Sequence, residues 1–253
     1  MSTRKFAVDP KKRFSSRVEN YIKYRPSYPQ KIIDFLKEKE ILTEDMTIAD
    51  IGSGTGILTK IFLDNDNVVY GIEPNKDMRE AAEKLLYKYS NFSSFEGSAE
   101  STGLEDNSID LIIAGQAFHW FDVEKTKKEF KRILKPNGYV VLIWNDRVKS
   151  GSDFNSKYES FILKYGTDYK EVRKNEGNVN LFFRYQKKNF DNFQELDFTS
   201  LKGRVLSASY IPLPDNPLFP KMILELEDLF NKHQQNGIIR LEYATKVFYG
   251  QLA

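Results

Sequence analysis

Thr47-Ile48-Ala49-Asp50-Ile51 is a short apolar run that stops at Gly52-Ser53-Gly54-Thr55-Gly56, and Ile57-Leu58 then begins a new segment. Such a run ending at glycines reads as a strand that enters a tight loop. Glycine lets backbone turn sharply and approach a ligand with no Cβ between them. A second β-like run, Val68-Val69-Tyr70-Gly71-Ile72, ends at Glu73. After it, Asn75 can cap a helix whose apolar face is Met78, Ala81, Ala82, Leu85, Leu86 and Tyr89, spaced by three and four residues. Upstream, Ser27 and Gln30 fit a capping box that opens a helix through Ile32, Ile33, Phe35 and Leu36. Downstream, Phe92 to Glu96 is a weaker third strand and Ile109 to Ala114 a fourth. Asp122 can cap a helix ending near Leu134, and Lys135-Pro136-Asn137-Gly138 turns the chain into a fifth run, Tyr139 to Trp144.

Strands alternating with helices predict a parallel sheet covered on both faces, because parallel neighbours need long crossovers. The expected fold class is α/β, doubly wound and mostly parallel. Beyond Trp144 the pattern changes. Phe154, Tyr158, Phe161, Ile162 and Tyr165 share one helical face, and Met222, Ile223, Leu226, Leu229, Phe230 and His233 share another. Ile239, Leu241, Tyr243, Thr245, Val247 and Tyr249 alternate with mainly polar neighbours. This predicts a half-exposed C-terminal edge strand, antiparallel to a strand near Phe190–Phe198, with the helices of 153–165 and 200–235 inserted over the ligand edge. No Gly/Ser- or Pro-rich linker divides the chain, so one domain over 1–253 is expected.

Composition narrows the chemistry. The chain has 253 residues, 38 Lys plus Arg against 36 Asp plus Glu, and a formal charge of +2. That balance offers no strong electrostatic case for a nucleic-acid or anionic-membrane partner. Cysteine is absent, which excludes disulfides, thiolate zinc sites and cysteine nucleophiles. Two histidines, His119 and His233, make a His-rich metal centre an unpromising reading, and no metal is expected. No run reaches the ~20 apolar residues that span a bilayer, and Met1 to Arg17 is basic and polar. The expected location is the cytoplasm.

The glycine loop admits three readings. A phosphate-cradling P-loop needs Gly-Lys-Ser/Thr, whereas Gly56 is followed by Ile57-Leu58-Thr59-Lys60. A dinucleotide fingerprint needs a small residue where Ile57 stands. Gly52, Gly54 and Gly56 preceded by Asp50 suit a ligand without a pyrophosphate. Glu73 follows the second strand about 20 residues further on, where a carboxylate can accept hydrogen bonds from both hydroxyls of a ribose.

These residues resemble a class I S-adenosylmethionine-dependent methyltransferase of the small-molecule branch. Asp50 to Gly56 resembles the family's first motif and Glu73-Pro74 its ribose-binding acidic position. Gly97-Ser98-Ala99-Glu100 resembles the segment against the adenine. Gln116-Ala117-Phe118-His119-Trp120-Phe121-Asp122 and Tyr24-Arg25-Pro26-Ser27-Tyr28-Pro29 resemble a subgroup that contains aconitate-type methyltransferases, and Leu134 to Tyr139 resembles the turn entering the fifth strand. The resemblance is specific over residues 14–147. It implies a seven-stranded Rossmann-like sheet, an N-terminal cap segment (1–30), a cofactor core (31–147), substrate-side helical insertions with one core strand (148–237) and a C-terminal strand (238–253).

It also implies roles. Asp50 complements the cofactor's ammonium, Gly52, Gly54 and Gly56 form the loop, and Ser98 and Ala99 meet the adenine, Ala99 through its N–H. Gln116 ends the fourth strand and points into the crevice. Tyr21 and Arg25 fold over the cofactor, Arg25 pairing with its carboxylate or with an acidic acceptor. His119 is either a general base or a packing partner of Trp120. Arg204, Tyr210 and the aromatics of 154–165 are candidates for the acceptor pocket or for ordinary packing. The implied activity is methyl transfer to a small molecule, with no nucleic-acid or membrane partner and the oligomeric state open. The alternatives are a nucleic-acid or protein methyltransferase on the same fold and a non-catalytic cofactor-binding protein.

Overall fold

Strand β1 (Thr47–Ile51) is buried on both faces from Ile48 onward, as a central strand of a parallel sheet must be. The structure, a computed structural model, describes residues 17–149, 151–167 and 179–252. β1 pairs in parallel with β2 (Val68–Ile72) on one side and β4 (Ile109–Gly115) on the other. β3 (Phe92–Phe95) adds to β2 and β5 (Leu134–Arg147) to β4, again in parallel. Two antiparallel strands, β6 (Gln186–Leu196) and β7 (Ile239–Gln251), complete the sheet in the order β3-β2-β1-β4-β5-β7-β6. The fold is a doubly wound, seven-stranded α/β sheet. Its winding direction reverses between β1 and β4, and such a switch leaves a crevice beyond the carboxyl ends of the strands.

Side chains alternate across the sheet and feed two cores. On one face Ile48, Val69, Leu111, Ile113, Val141 and Ile143 meet α2 (Lys31–Glu38) and α3 (Ile57–Leu63). On the other, Ile112, Ala114, Leu142 and Trp144 meet α5 (Val123–Ile133) and the short α7 (Val179–Phe182). A third core joins α6 (Asp153–Tyr165), α8 (Phe198–Leu206) and α9 (Phe219–His233) to Leu241 and Tyr243 of β7. Two predicted caps are in place: Asn75 Oδ1 accepts the Met78 amide at 3.0 Å ahead of α4 (Lys76–Leu85), and Asp122 Oδ1 accepts the Lys125 amide at 3.2 Å ahead of α5. No helix of the described residues is long and apolar enough to cross a membrane.

Four local expectations are corrected. The C-terminal strand is not an edge: β7 is hydrogen-bonded to β5 and β6 on its two sides. Its alternation reflects unequal cover of its two faces. The edge is β6, exposed or half-buried from Gln186 to Glu195 and carrying Lys187 and Lys188, charges that discourage further pairing. The Ser27–Gln30 capping box does not form, and α2 begins after Gln30 with no side-chain cap. Pro29 has no N–H to be capped, and a residue before proline, here Tyr28, is driven out of the α region. α4 ends at Leu85, which is 48% exposed, so the helical face does not reach Tyr89. Finally, Lys135 to Gly138 is a bulge within β5, with Asn137 at φ 69° and a register shift opposite Ile109–Leu111.

The N-terminal segment includes a helix, α1 (Val18–Tyr24), that has no buried residue of its own, so periodicity does not reveal it. It lies on α8: a Cβ at Gly203 would sit 2.1 Å from the Tyr24 ring. Arg17 strengthens the contact by donating to the carbonyls of Leu206 and Ile211 at 2.7 and 2.6 Å. Gly203→Ala is expected to lower stability by about 1–2 kcal/mol, overpacking outweighing the helix propensity that alanine adds. A shifted denaturant midpoint at unchanged slope would show it, and equal or higher stability would contradict this packing.

Candidate functional site

The crevice is built where the ends of β1, β2 and β4 meet. Gly52 has φ 71°, and a Cβ there would stand 2.6 Å from Ala117 Cβ, so the glycine lets the loop after β1 touch the loop after β4. Gly54 donates its amide to Glu73 Oε2 at 2.9 Å, and Asn75 donates to Glu73 Oε1 at 2.8 Å. Burial pushes the Glu73 carboxyl up, against the lowering effect of those two amides. Each oxygen keeps acceptor capacity for a further donor. Gly56, at φ 82°, is the residue before α3, and a Cβ there would meet Leu86 Cδ1 at 2.6 Å. It packs the helix and does not face the crevice.

Asp50 is the most demanding group in the site. It is fully buried, and Oδ2 accepts the Thr59 hydroxyl at 2.6 Å. Oδ1 has no hydrogen-bond partner among the described residues. Burial pushes the carboxyl up to about 7, the Thr59 hydrogen bond opposing and Glu73 adding to the shift. A buried acceptor without a donor is rare and costly, and it marks a place where a ligand group is wanted.

Two adjoining cavities open here, sharing Tyr21, Gly52, Gly115, Gln116 and Trp120 in their walls. The first also contains Asp50, Arg25 and His119; the second contains Gly54, Glu73, Ser98 and Ala99. All the sequence-predicted site residues except Gly56 therefore converge on this one crevice. Gln116 has φ 57°, an unusual conformation for a side-chain-bearing residue, and its Nε2 donates to the Asn145 carbonyl at 3.1 Å. That bond ties the end of β4 to β5. The Ser98 amide is taken by the Ser101 carbonyl at 3.0 Å, leaving Ala99 as the amide of the pair without a backbone partner among the described residues. His119 is half-buried against Trp120, ring centroids 4.6 Å apart.

Arg204 and Tyr210 line the first cavity, whereas Phe154, Tyr158, Phe161 and Tyr165 belong to the third core and line neither. Residue-by-residue reading misses Tyr28, Asn145 and Arg147, which also line the first cavity. Arg147 ends β5 and pairs with the buried Glu159 at 2.9 Å. The available signal was positional: Asn145-Asp146-Arg147 directly follows the fifth predicted run, Tyr139 to Trp144, and strand carboxyl ends face the crevice.

The Asp50 environment predicts a pH signature. A folded-state value above the unfolded one means stability from this group is complete below its ordinary value near 3.8 and is lost as pH rises through about 7. The unfolding free energy of the ligand-free wild type relative to Asp50→Asn should therefore fall by on the order of 2–4 kcal/mol across that window. Denaturant titrations at several pH values check this, and a flat or rising difference would contradict it.

Comparison with known proteins agrees with this geometry. Residues 49–142 match the family model described as a methyltransferase domain. An uncharacterized methyltransferase of Schizosaccharomyces pombe is 37% identical over 138 residues, covering 54% of this chain and 54% of that protein. One of Mycobacterium tuberculosis is 34% identical over 134 residues, covering 53% and 52%. The chain thus spans about half the length of the curated relatives it matches. A solved structure from Anaeromyxobacter dehalogenans, described as a type II methyltransferase, shares the fold with a TM-score of 0.73 at 17% identity, over 90% of this chain and 98% of that one. Residues 49–142 are thus similar to a methyltransferase domain, and the fold around them is shared with a solved methyltransferase structure.

Proposed function

We propose that the protein is a cytoplasmic enzyme that transfers a methyl group from S-adenosylmethionine to a small-molecule acceptor by direct displacement. The observation that carries this is Asp50 Oδ1, a buried acceptor without a donor among the described residues, in the wall of the first cavity. A donor-bearing cation such as the cofactor's ammonium completes it. Glu73 keeps lone pairs for ribose hydroxyls, and Ala99 offers an amide to the adenine edge in the second cavity. The fit supports the cofactor reading on both sides of the shared wall. The motifs at Tyr24–Pro29 and Gln116–Asp122 support a place in the aconitate-type subgroup.

When bound, the cofactor supplies a methyl group already activated on a sulfonium. What remains for the protein is alignment, which can contribute about 7–11 kcal/mol. Tyr21 and Trp120, common to both cavities, are positioned to align the two ligands and exclude water, and an aromatic face attracts a cation. Burial holds the Tyr28 phenol well above its ordinary range, so it stays protonated beside Asp50. His119 can take a proton from an acceptor that must lose one, a contribution of about 10²–10⁴-fold, and otherwise serves as wall beside Trp120. The near-balanced charge of the chain supports a small acceptor over a phosphate polymer.

S-adenosylmethionine at about 100 times its Kd should stabilise the protein by ~2.7 kcal/mol, and NAD should not. With isotopically labelled cofactor and cell extract, label should appear in a metabolite. Stabilisation by NAD alone would overturn the cofactor reading, and label in RNA or protein would overturn the acceptor reading.

A further inference from the structure

Tyr28 is 8% exposed and lines the first cavity, yet its hydroxyl makes no hydrogen bond among the described residues. Burial is the largest influence on the phenol, followed by Tyr21, Asp50 and Arg25 through their charges, with no hydrogen bond among them. Its place is nonetheless closely built. The Ser27 carbonyl just before it accepts from Asn145 Nδ2 at 3.1 Å and from Asn192 Nδ2 at 2.9 Å, and Pro29 just after it stiffens the backbone. The ring belongs to the core that joins α2 and α3 to the sheet. At Gly115, the last residue of β4, a Cβ would stand 2.6 Å from the hydroxyl oxygen, so the glycine is what admits the group there. Buried hydroxyls are normally satisfied, and a rigid one that is not points to a partner supplied by a ligand.

Gly115 borders both cavities, which puts the hydroxyl oxygen at their shared wall. On the cofactor reading, the amino-acid end answers Asp50 in the first cavity, and the adenosine answers Glu73 and Ala99 in the second. The sulfur joins these two parts covalently and therefore belongs at the shared wall. We propose that the Tyr28 hydroxyl oxygen recognises the sulfonium charge, a lone pair facing the positively polarised carbons around the sulfur, so that the protein holds the methylated cofactor in preference to its demethylated product. This rests on the cofactor reading and names the residue that tells the two states of the cofactor apart. A carbon bound to a sulfonium has acidic hydrogens that attract an oxygen lone pair, and the same carbon on a neutral sulfide has little such attraction. Asp50 and Glu73 cannot supply this distinction, because the ammonium and ribose they face are the same in both molecules. Burial keeps the Tyr28 phenol neutral, and a phenolate at that wall would itself be a nucleophile toward the activated methyl. Once the methyl has left, the attraction lapses and the product is held less tightly.

The test is calorimetric titration of the full chain with S-adenosylmethionine, S-adenosylhomocysteine and sinefungin, which carries a protonated amine on carbon where the cofactor has its methylsulfonium. Tyr28→Phe keeps the ring and removes only the hydroxyl. It should weaken S-adenosylmethionine about 3- to 5-fold and sinefungin, whose amine can donate a full hydrogen bond, about 10-fold or more. S-adenosylhomocysteine should change by less than about 2-fold, which also shows that the variant is folded. Should Tyr28→Phe fail to fold, Gly115→Ala, whose Cβ displaces the hydroxyl, should show the same order of losses. The proposal is overturned if the folded variants lose S-adenosylhomocysteine as strongly as S-adenosylmethionine, which would put the hydroxyl on a group common to both, or if they keep full affinity for S-adenosylmethionine. Failure of the wild type to bind either molecule would overturn the cofactor reading beneath it.

Discussion

A carboxylate buried with one oxygen unanswered is the constraint on which this site turns. Asp50 lies where β1 is covered on both faces, and among the described residues only one of its oxygens has a hydrogen-bond partner, Thr59, two residues past the start of α3. The usual compensation, a nearby lysine or arginine, is not what the structure uses, since the electrostatic influences on Asp50 are burial, Thr59 and the like-charged Glu73. The folded protein instead tolerates a carboxyl that holds its proton to about pH 7. Such a group has much to gain from a cationic ligand, because ionisation and binding then favour each other.

The rest of the crevice is arranged around that group by topology. The reversal between β1 and β4 parts the crossovers on either side and leaves the strand ends open. Gly52 lets the two flanking loops touch, Gln116 ties β4 to β5, and Glu73 fastens the glycine loop to the end of β2. The helices beyond β5 build a separate core, and Arg204 of α8 and Tyr210 in the turn after it reach the first cavity. α1 closes over them from the other end of the sequence, held by Tyr24 on Gly203 and by Arg25 on Ser207. The packing of α1 and the lining of the first cavity therefore depend on the same contact between α1 and α8.

Much of this was legible in the residues because the signals were local. Near-continuous apolar runs at Ile109–Ala114 and Tyr139–Trp144 fit central strands, and the Asn75 and Asp122 caps sit where a side chain can reach an amide three residues on. The glycine spacing with Asp50 and Glu73 marked the crevice itself. What escaped depended on distant partners. Whether the alternating strand at Ile239–Gln251 is an edge depends on β6, almost fifty residues away in sequence. α1 has no apolar face of its own, and Ser27 has the right type for a cap but is defeated by Pro29. Arg147 is an ordinary charge at a strand end until Glu159 and Tyr210 fold beside it. Gly56 shows the reverse: its motif position suggested a ligand role, and its neighbour Leu86 explains it by packing.

The most direct measurement is the proton balance of S-adenosylmethionine binding, read by calorimetry at pH 6 in buffers of different ionisation enthalpy. If the cofactor's ammonium draws Asp50 into its charged form, close to one proton should leave the wild type per molecule bound, and none should leave Asp50→Asn. Binding with no proton release by the wild type, or with equal release by both proteins, would contradict the role given to Asp50.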